Sequence, residues 1–419
     1  MKGDRFGALR IWNSEGRPIL DEVAFYVPER IQRGFIADVI GAKPGHLLEC
    51  DRLQKGTRVL RDLGVPLTAV PLTAPPVQGS EGRCRLEVTV PESPGPFSSW
   101  FHFGLWGAAS LVSGSTTVPI KNLDGRGSSL TLRGRWVHDR RLAEARYSFL
   151  TTVPVLIRNT ARAAYEERAL AASLNPVFTN TLRVQRSRFS WESAVPLTTT
   201  TDLVLGVGRL ERWGSVGRAG IDSSVFMQPT LGLRLSARGA HSSKLTGEAL
   251  FTYSAGIGDS TPAFSRTAVH AGIEVPIASR LNMQLDLFAQ GVSKDAPPEE
   301  LVMAGVGRGD ENALHLRGHP LFKDGVAGYG PTGLRGVLFQ SSVGYRMMKK
   351  GSVALWTEVF MDEARLWDRL DADAHGGWIV DGGAGLRISM PGGLSAGIRR
   401  GYGFTDHTDV WSVYLAERL

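Results

Sequence analysis

Long apolar segments are missing from this chain of 419 residues, in which no run of about 18 or more apolar residues occurs. Because a membrane-spanning helix needs such a run, helical membrane proteins are excluded. The N-terminal sequence MKGDRFGALRIWNSEG contains one Lys and two Arg residues but no apolar core, so it shows no secretory signal peptide. A transmembrane β-barrel passes the hydropathy test, because its strands alternate apolar and polar residues.

Cysteine is almost absent as well. Cys50 and Cys84 are the only two, and they lack the CxxC spacing of metal and redox sites. Two cysteines are also too few for a disulfide scaffold. A bridge between them would fit an oxidising compartment, and two buried free thiols are the simpler interpretation.

Catalytic motifs are missing in the same way. The nine histidines include no HExxH pair. Asp406, His407 and Asp409 fall in a predicted turn before the last strand, where solvated side chains are more usual than metal ligands. The glycines within residues 305–309 do not lie between a strand and a helix, so they form no phosphate loop. The sequence therefore predicts no enzyme, no cofactor and no metal site.

The charge of the chain is positive, with a net value of +7 and a pI near 9.5. Such a charge suits nucleic acid, anionic lipid or acidic peptides. However, the Lys and Arg residues are spread along the chain, and neither zinc-finger spacing nor an aromatic RNA-binding motif accompanies them. Nucleic acid is therefore not expected as a partner.

Residues 1–96 have the pattern of a small α+β domain. The predicted elements, in order, are a strand at 23–27, a helix with Ile31, Phe35 and Val39 on one face, a second helix at 50–63, an edge strand at 65–72 and an alternating strand at 84–90. The Pro-rich sequence PESPGPFSS at 91–99 is interpreted as the linker that follows.

Beyond the linker, period two replaces the helical period. Leu281, Met283 and Leu285, for example, alternate with polar residues. Ionised residues occupy the polar face in mid-strand, namely Arg133, Arg135, Arg234, Glu274, Asp286, Asp381 and Arg387. A soluble sandwich would direct that face to solvent, whereas a transmembrane barrel directs it to a wet lumen and its other face to lipid. Alternation alone leaves both architectures open.

The number and length of the strands favour the barrel. Candidate strands begin near residues 98, 127, 142, 160, 176, 200, 226, 243, 265, 280, 298, 334, 352, 376, 393 and 408, which makes 16. Each has roughly 9–14 residues and can cross a bilayer at a tilt, whereas strands of soluble proteins have about five or six. The predicted fold is an all-β transmembrane barrel of 16 antiparallel strands in residues 97–419, with the α+β domain in residues 1–96.

One connection in this barrel is far longer than a hairpin requires. It joins the eleventh and twelfth predicted strands and contains Leu316-Arg317-Gly318-His319, which resembles the Arg-Gly signature of the BamA-type outer-membrane assembly family. In that family the loop folds back into the barrel, and its arginine pairs with an aspartate of a nearby strand. The segment Phe360-Met361-Asp362-Glu363-Ala364 resembles that strand's motif, Phe-x-Asp-x-Gly, with alanine in the last position.

Other segments extend the resemblance over nearly the whole chain. Residues 122–127, Asn-Leu-Asp-Gly-Arg-Gly, resemble the family's motif before its second strand, and residues 381–387 resemble its antepenultimate-strand signature. The element order of residues 20–92 resembles a POTRA domain, the family's polypeptide-binding module. Three features depart from the family: His319 replaces an aromatic residue, Gly344 replaces an acidic one, and the chain does not end on an aromatic residue.

The resemblance implies a membrane insertase that folds β-barrel precursors through a lateral seam between the first strand, near 98–110, and the last, near 408–418. The seam residues would be Trp100, Phe101, Phe103 and Leu105 on the first strand, with Trp411, Val413 and Leu415 on the last. The loop contact would be formed by Leu316, Arg317, Gly318, His319, Phe360 and Asp362. The implied partners are β-barrel precursor polypeptides, accessory subunits of an assembly complex and outer-membrane lipid.

Within the family, a single POTRA domain and a start without a visible signal resemble the central barrel subunit of the sorting and assembly machinery in the mitochondrial outer membrane. A bacterial barrel trimmed to its last POTRA domain is the alternative, with a plastid envelope relative behind it. A bacterial-type polypeptide secretion channel would share both parts, so the sequence does not separate it from an insertase. A passive pore would need no POTRA domain.

Overall fold

The computed structural model describes residues 19–29, 31–65, 67–73, 83–90, 100–137, 140–152, 155–170, 181–216, 219–239, 243–257, 262–305, 313–320, 322–323, 326–327, 330–351, 353–369, 377–390 and 394–417. The statements that follow concern these residues. The predicted domain boundary between residues 96 and 97 lies in the segment 91–99, outside the described residues, and stays a prediction. None of the described helices is both long enough and apolar enough to span a membrane.

The N-terminal unit is a three-stranded sheet covered by two helices. Its elements are β1 (Ile19–Tyr26), α1 (Arg33–Ile40), α2 (Cys50–Asp62), β2 (Thr68–Thr73) and β3 (Arg83–Thr89). The sheet order is β1-β3-β2, with β1 parallel and β2 antiparallel to β3. Pro71 lies in β2, which is an edge strand of this sheet. Proline is tolerated in edge strands because it lacks the N–H that a central strand needs for pairing on both sides. Leu20, Ile36, Leu60 and Leu86 are fully buried, so this unit has its own core.

The rest of the chain forms a closed barrel in which sequential wall strands pair antiparallel. A helix, α3 (Trp100–Ser113), precedes it. The wall strands are β4 (Ser115–Lys121), β5 (Ser129–Val137), β6 (Arg140–Thr151), β7 (Ile157–Leu170), β8 (Leu182–Pro196), β9 (Thr201–Val216), β10 (Ala219–Met227), β11 (Thr230–Arg238), β12 (Lys244–Ile257), β13 (Phe264–Ala278), β14 (Leu281–Val292), β19 (Thr332–Lys350), β20 (Val353–Arg369), β21 (Ile379–Ser389), β22 (Leu394–Gly403) and β23 (Asp409–Glu417). The connection between β14 and β19 contains the short strands β15 (Val302–Ala304), β16 (Ala313–Leu314), β17 (Phe322–Lys323) and β18 (Val326–Ala327).

These sixteen wall segments occupy fifteen positions around the described barrel. The reason is that β10 and β11 are two parts of one strand, since both pair with β9 on one side and with β12 on the other. The interruption falls at Gln228 and Pro229, and proline supplies no N–H for the ladder there. The predicted barrel with antiparallel sequential strands is confirmed, and its closed ring excludes the soluble sandwich that alternation left open. Because fourteen antiparallel steps separate β4 from β23, these two strands run in the same direction where the ring closes.

The predicted first strand, near 98–110, is wrong, because Trp100, Phe101, Phe103 and Leu105 lie in the helix α3. The sequence WFHFGLWGAASLVS fits a helix better than a strand. It has a single β-branched residue, and its apolar residues follow no strict alternation. The first wall strand is instead β4, which has seven residues and a proline and was missed as a candidate.

The strand predicted to begin near residue 298 is also wrong. Pro298–Glu300 is a single 3₁₀ turn, followed by the three residues of β15 inside the long connection. Consecutive prolines at 297 and 298 stop the alternation there, because proline supplies no ladder donor. The long connection therefore follows the tenth wall position rather than the eleventh.

The two faces of the wall differ in polarity. Six of the seven ionised residues expected on the polar face line an internal cavity of about 1920 Å³, and they are Arg133, Arg135, Arg234, Glu274, Asp286 and Arg387. The seventh, Asp381, binds the long connection as described below. Residues of the other parity, such as Leu231, Leu233 and Leu245, are exposed on the outside. The barrel thus has a wet interior and an apolar outer surface.

The N-terminal unit closes one end of this cavity with α2. Arg58 of α2 is buried against Asp202 at the start of β9, and Arg158 of β7 lies 3.7 Å from Asp62. Burial raises the pKa of Asp62, and the neighbouring Arg158 and Arg58 oppose that shift. Buried ion pairs of this kind hold a fixed geometry, because losing one partner leaves an uncompensated charge.

The turn between β4 and β5 also contacts the N-terminal unit. Asn122 adopts a positive φ of 55° and its side-chain oxygen accepts from the Gly127 amide at 2.8 Å. Gln32 donates from its backbone to the Gly125 carbonyl at 3.0 Å and accepts from Arg126 at the same distance. The Asn-Leu-x-Gly-x-Gly motif therefore shapes the turn before the second wall strand and fixes it to the domain.

Candidate functional site

The connection between β14 and β19 folds back into the barrel. Residues Leu314 and Leu316 are almost fully buried, and they form one apolar cluster with Leu338, Ala364 and Ile379 of the wall. At its far side β18 pairs in parallel with the last two residues of β7. We call this connection, residues 293–331, the internal loop; it reaches from β19–β21 to β7.

Arg317 of this loop binds Asp362 of β20, as the resemblance implies. The Arg317 Nε donates to both Asp362 oxygens, at 3.0 and 2.8 Å, and the Arg317 backbone N–H donates at 3.0 Å. The guanidinium carbon stands 4.0 Å from the centre of the Phe360 ring. Asp362 is completely buried, so these charge-assisted bonds are shielded from water.

Gly344 has no carboxylate to offer Arg317 a second acidic partner. In the structure a second acceptor is the Ser341 carbonyl, which Arg317 Nη2 contacts at 3.2 Å.

Gly318 and His319 bind a second carboxylate, Asp381 of β21. The Gly318 N–H donates to one oxygen, and His319 Nδ1 lies 2.7 Å from the other. On its far side His319 Nε2 lies 2.8 Å from Asp406. Both ring nitrogens thus face carboxylate oxygens, which accept hydrogen bonds. Only the doubly protonated imidazolium can donate from both of its nitrogens. A side chain at 318 has no room, since a Cβ there would come within 2.7 Å of the Tyr402 backbone.

Asp406 lies in the predicted turn and its side chain is 48% exposed, and in addition it contacts His319. The other two members of that cluster have separate partners: the His407 ring bonds the Tyr402 hydroxyl at 2.8 Å, and Asp409 pairs with Arg400 at 2.7 Å.

The opposite end of the internal loop is held by a cluster that sequence reasoning missed. Glu299 and Glu300 are essentially without solvent exposure. Arg186 of β8 binds Glu300 at 2.7 Å, and Arg212 of β9 binds Glu299. Glu166 of β7 also pairs with Arg186. The available signal was two adjacent carboxylates after two prolines, in a chain whose strands carry arginines on the polar face.

The barrel closes where β23 meets β4. In β4 the Gly114 carbonyl accepts from the Trp136 amide of β5, so by alternation Ser115 and Thr117 direct their backbone groups away from β5. In β23 the Gly403–Thr408 bond places the backbone groups of Trp411, Val413 and Leu415 away from β22. We call these two edges the seam.

The predicted seam residues of the last strand thus lie on the seam edge of β23, whereas those predicted for the first strand lie in the helix α3. The seam is short on the β4 side, which has seven residues, while β19 has 19. The helix α3 lies against both β4 and β23 at this point.

The two cysteines take no part in either region. Neither is in a disulfide, and Cys84 is buried in the N-terminal unit. Burial raises the pKa of the Cys84 thiol to about 11, and the charge of Asp21 adds to the shift.

No protein-family model matches the sequence, and no curated protein sequence matches it. Solved structures match over almost the whole chain. BamA from Haemophilus ducreyi lacking POTRA domains 1-3 is 14% identical with a TM-score of 0.53, and the match covers 95% of this chain and 85% of that chain. CdiB from Escherichia coli is 16% identical with a TM-score of 0.62, covering 96% and 74%. CdiB from Acinetobacter baumannii is 12% identical with a TM-score of 0.60, covering 95% and 73%. By its backbone, this chain has the fold of the BamA-type outer-membrane barrels.

Proposed function

We propose that the protein inserts β-barrel precursors into an outer membrane through its seam. The observation that carries this proposal is the closure of a large barrel by the seven residues of β4 against β23. A short pairing opens at less cost than a long one, because fewer backbone bonds break. Opening would expose strand edges whose backbone groups lipid cannot satisfy.

An incoming precursor strand would satisfy those groups by β-augmentation. The seam edge of β23 presents Trp411, Val413 and Leu415 at alternating positions, which is the spacing an added strand requires. Further strands would follow until the new barrel closes and leaves. The N-terminal unit stands at one end of the cavity, where its sheet edges would receive precursor segments in the same manner.

The second candidate function is polypeptide secretion through the lumen. The internal cavity of about 1920 Å³ and its charged lining favour it. The internal loop crosses that cavity and is tied at both ends, so secretion would require the loop to leave. An insertase working at the seam needs no such movement, and for this reason we place it first.

We place the protein in the mitochondrial outer membrane, as the central barrel of a sorting and assembly complex with accessory subunits. A bacterial outer membrane is the alternative. The proposal includes no enzymatic step, cofactor or nucleic acid.

Insertion of a radiolabelled barrel precursor into outer membranes depleted of this protein tests the proposal. We expect assembly to stall while unrelated import continues, and re-addition of the wild-type chain to restore it. Normal assembly in depleted membranes would reject the insertase and leave secretion as the leading function.

A further inference from the structure

The helix α3 occupies the seam edge of β4. The chain reverses at Gly114, so the helix runs back along β4. Three side-chain contacts join the helix to β4. The Ser113 and Ser115 hydroxyls are 3.0 Å apart, and Ser110 lies 3.5 Å from the Thr116 hydroxyl. The fourteen residues of α3 span about 21 Å, the length of a short wall strand.

The third contact involves the backbone. The Trp106 Nε1 donates to the Thr117 carbonyl at 3.3 Å. Thr117 is one of the residues whose carbonyl points away from β5, toward the seam. The next seam-facing residue of β4 is Pro119, which has no N–H to offer. A strand that pairs with β4 would need the carbonyl that Trp106 now occupies.

The surface of α3 suits a place at the apolar belt of the barrel. Its sequence contains no Lys, Arg, Asp or Glu. Trp100, Leu111 and Val112 are 88%, 75% and 71% exposed, which is costly in water and favourable against acyl chains. A helix satisfies its own backbone bonds, so it can rest beside an open strand edge without presenting an edge itself.

We propose that α3 is a displaceable cover of the seam, which a precursor strand must move aside before it pairs with β4. This inference rests on the proposed function and adds its regulation. In the resting state Trp106 blocks one carbonyl of β4, and the helix shields the short strand from a second chain. Displacement would free that carbonyl for the incoming strand.

A reversible lock tests the cover. The variant Ser110→Cys/Thr116→Cys, in a background with Cys50→Ser and Cys84→Ala, places two thiols at the 3.5 Å contact between α3 and β4. After oxidation to the disulfide we expect precursors to remain unassembled at the membrane, and reduction of the same sample to restore insertion. Recovery on reduction distinguishes a locked cover from a misfolded barrel.

The matched control is Ser148→Cys/Thr160→Cys in the same background. It links β6 to β7 at a hydroxyl pair 3.1 Å apart, away from the seam. Its insertion rate should be the same oxidised and reduced. A second variant, Trp106→Phe, keeps an aromatic ring but loses the indole N–H donor. We expect precursor insertion to be about fivefold faster, because one hydrogen bond contributes about 1 kcal/mol.

Insertion at the wild-type rate by the oxidised α3–β4 lock overturns the cover, while the proposed insertase function stands. Failure of the wild-type chain and of both reduced variants to insert precursors rejects the insertase function, and the cover with it. The two failures are therefore distinguishable in one assay.

Discussion

The internal loop and the seam are built on opposite principles. At the internal loop, carboxylates such as Asp362, Asp381 and Glu299 are fully buried and bound to charged partners. At the seam, a seven-residue strand meets β23, and the helix that covers it attaches through hydroxyls and one indole. Buried ion pairs resist partial opening, whereas neutral hydrogen bonds near a surface exchange at little cost. Ion pairs of the internal loop thus connect the barrel walls across the lumen, whereas the seam is closed by a short strand and a few neutral hydrogen bonds.

The largest effect should come from Asp362→Ala, which leaves the Arg317 guanidinium buried without its carboxylate. We expect the free energy of unfolding to fall by about 3–5 kcal/mol. Urea titration of the barrel in lipid vesicles, read by its heat-modifiable gel mobility, measures this. Asp409→Ala is the matched control, because its pair with Arg400 is exposed, and it should leave the midpoint unchanged. Equal midpoints for both variants would contradict a braced loop.

The far anchor of the loop should matter next. In Glu300→Gln, Arg186 keeps Glu166 but loses one charged acceptor, so we expect a loss of about 1.5–3 kcal/mol in the same titration. Because the two anchors lie on opposite walls, the double variant with Asp362→Ala should show additive losses. If the Glu300 change is silent, the loop is held at one end only.

Gly318→Ala should cost less, about 1–3 kcal/mol, because its Cβ would meet the Tyr402 backbone at 2.7 Å and force the loop to shift. Gly344→Ala is the control, since the nearest heavy atom to its Cβ would be 3.7 Å away. We expect the Gly344 variant to unfold at the wild-type midpoint, and a matching loss there would show that the tight fit at 318 has no special role.

The smallest effect on stability should come from the seam itself. Val413→Pro removes an N–H that points away from β22, so unfolding should change little while precursor insertion changes. Ser412→Pro removes an N–H directed at β22 and should lower stability clearly more. If Val413→Pro lowers the free energy of unfolding more than Ser412→Pro, the pairing at the seam contributes more to stability than the pairing of β23 with β22.

Local patterns predict much of this molecule. Alternation such as Leu281, Met283 and Leu285 predicted the antiparallel wall and its polar lumen, because the side-chain period of a strand is a property of consecutive residues. The Arg317–Asp362 contact followed from a resemblance carried by two short motifs. The helix α3 was mistaken for a strand because its aromatic residues are typical of strands, although the segment has a single β-branched residue and no strict alternation.

Patterns of consecutive residues predicted the barrel class and the polar face, and the resemblance to the BamA-type family implied the pairing of Arg317 with Asp362. Tertiary structure alone decided that His319 lies between Asp381 and Asp406, that Glu299 and Glu300 meet arginines of β8 and β9, and that α3 stands at the seam. These contacts join residues that are distant in the chain, such as Arg212 and Glu299, which are 87 positions apart. They depend on the closed ring and on the position of the loop inside it, so no pattern of neighbouring residues records them.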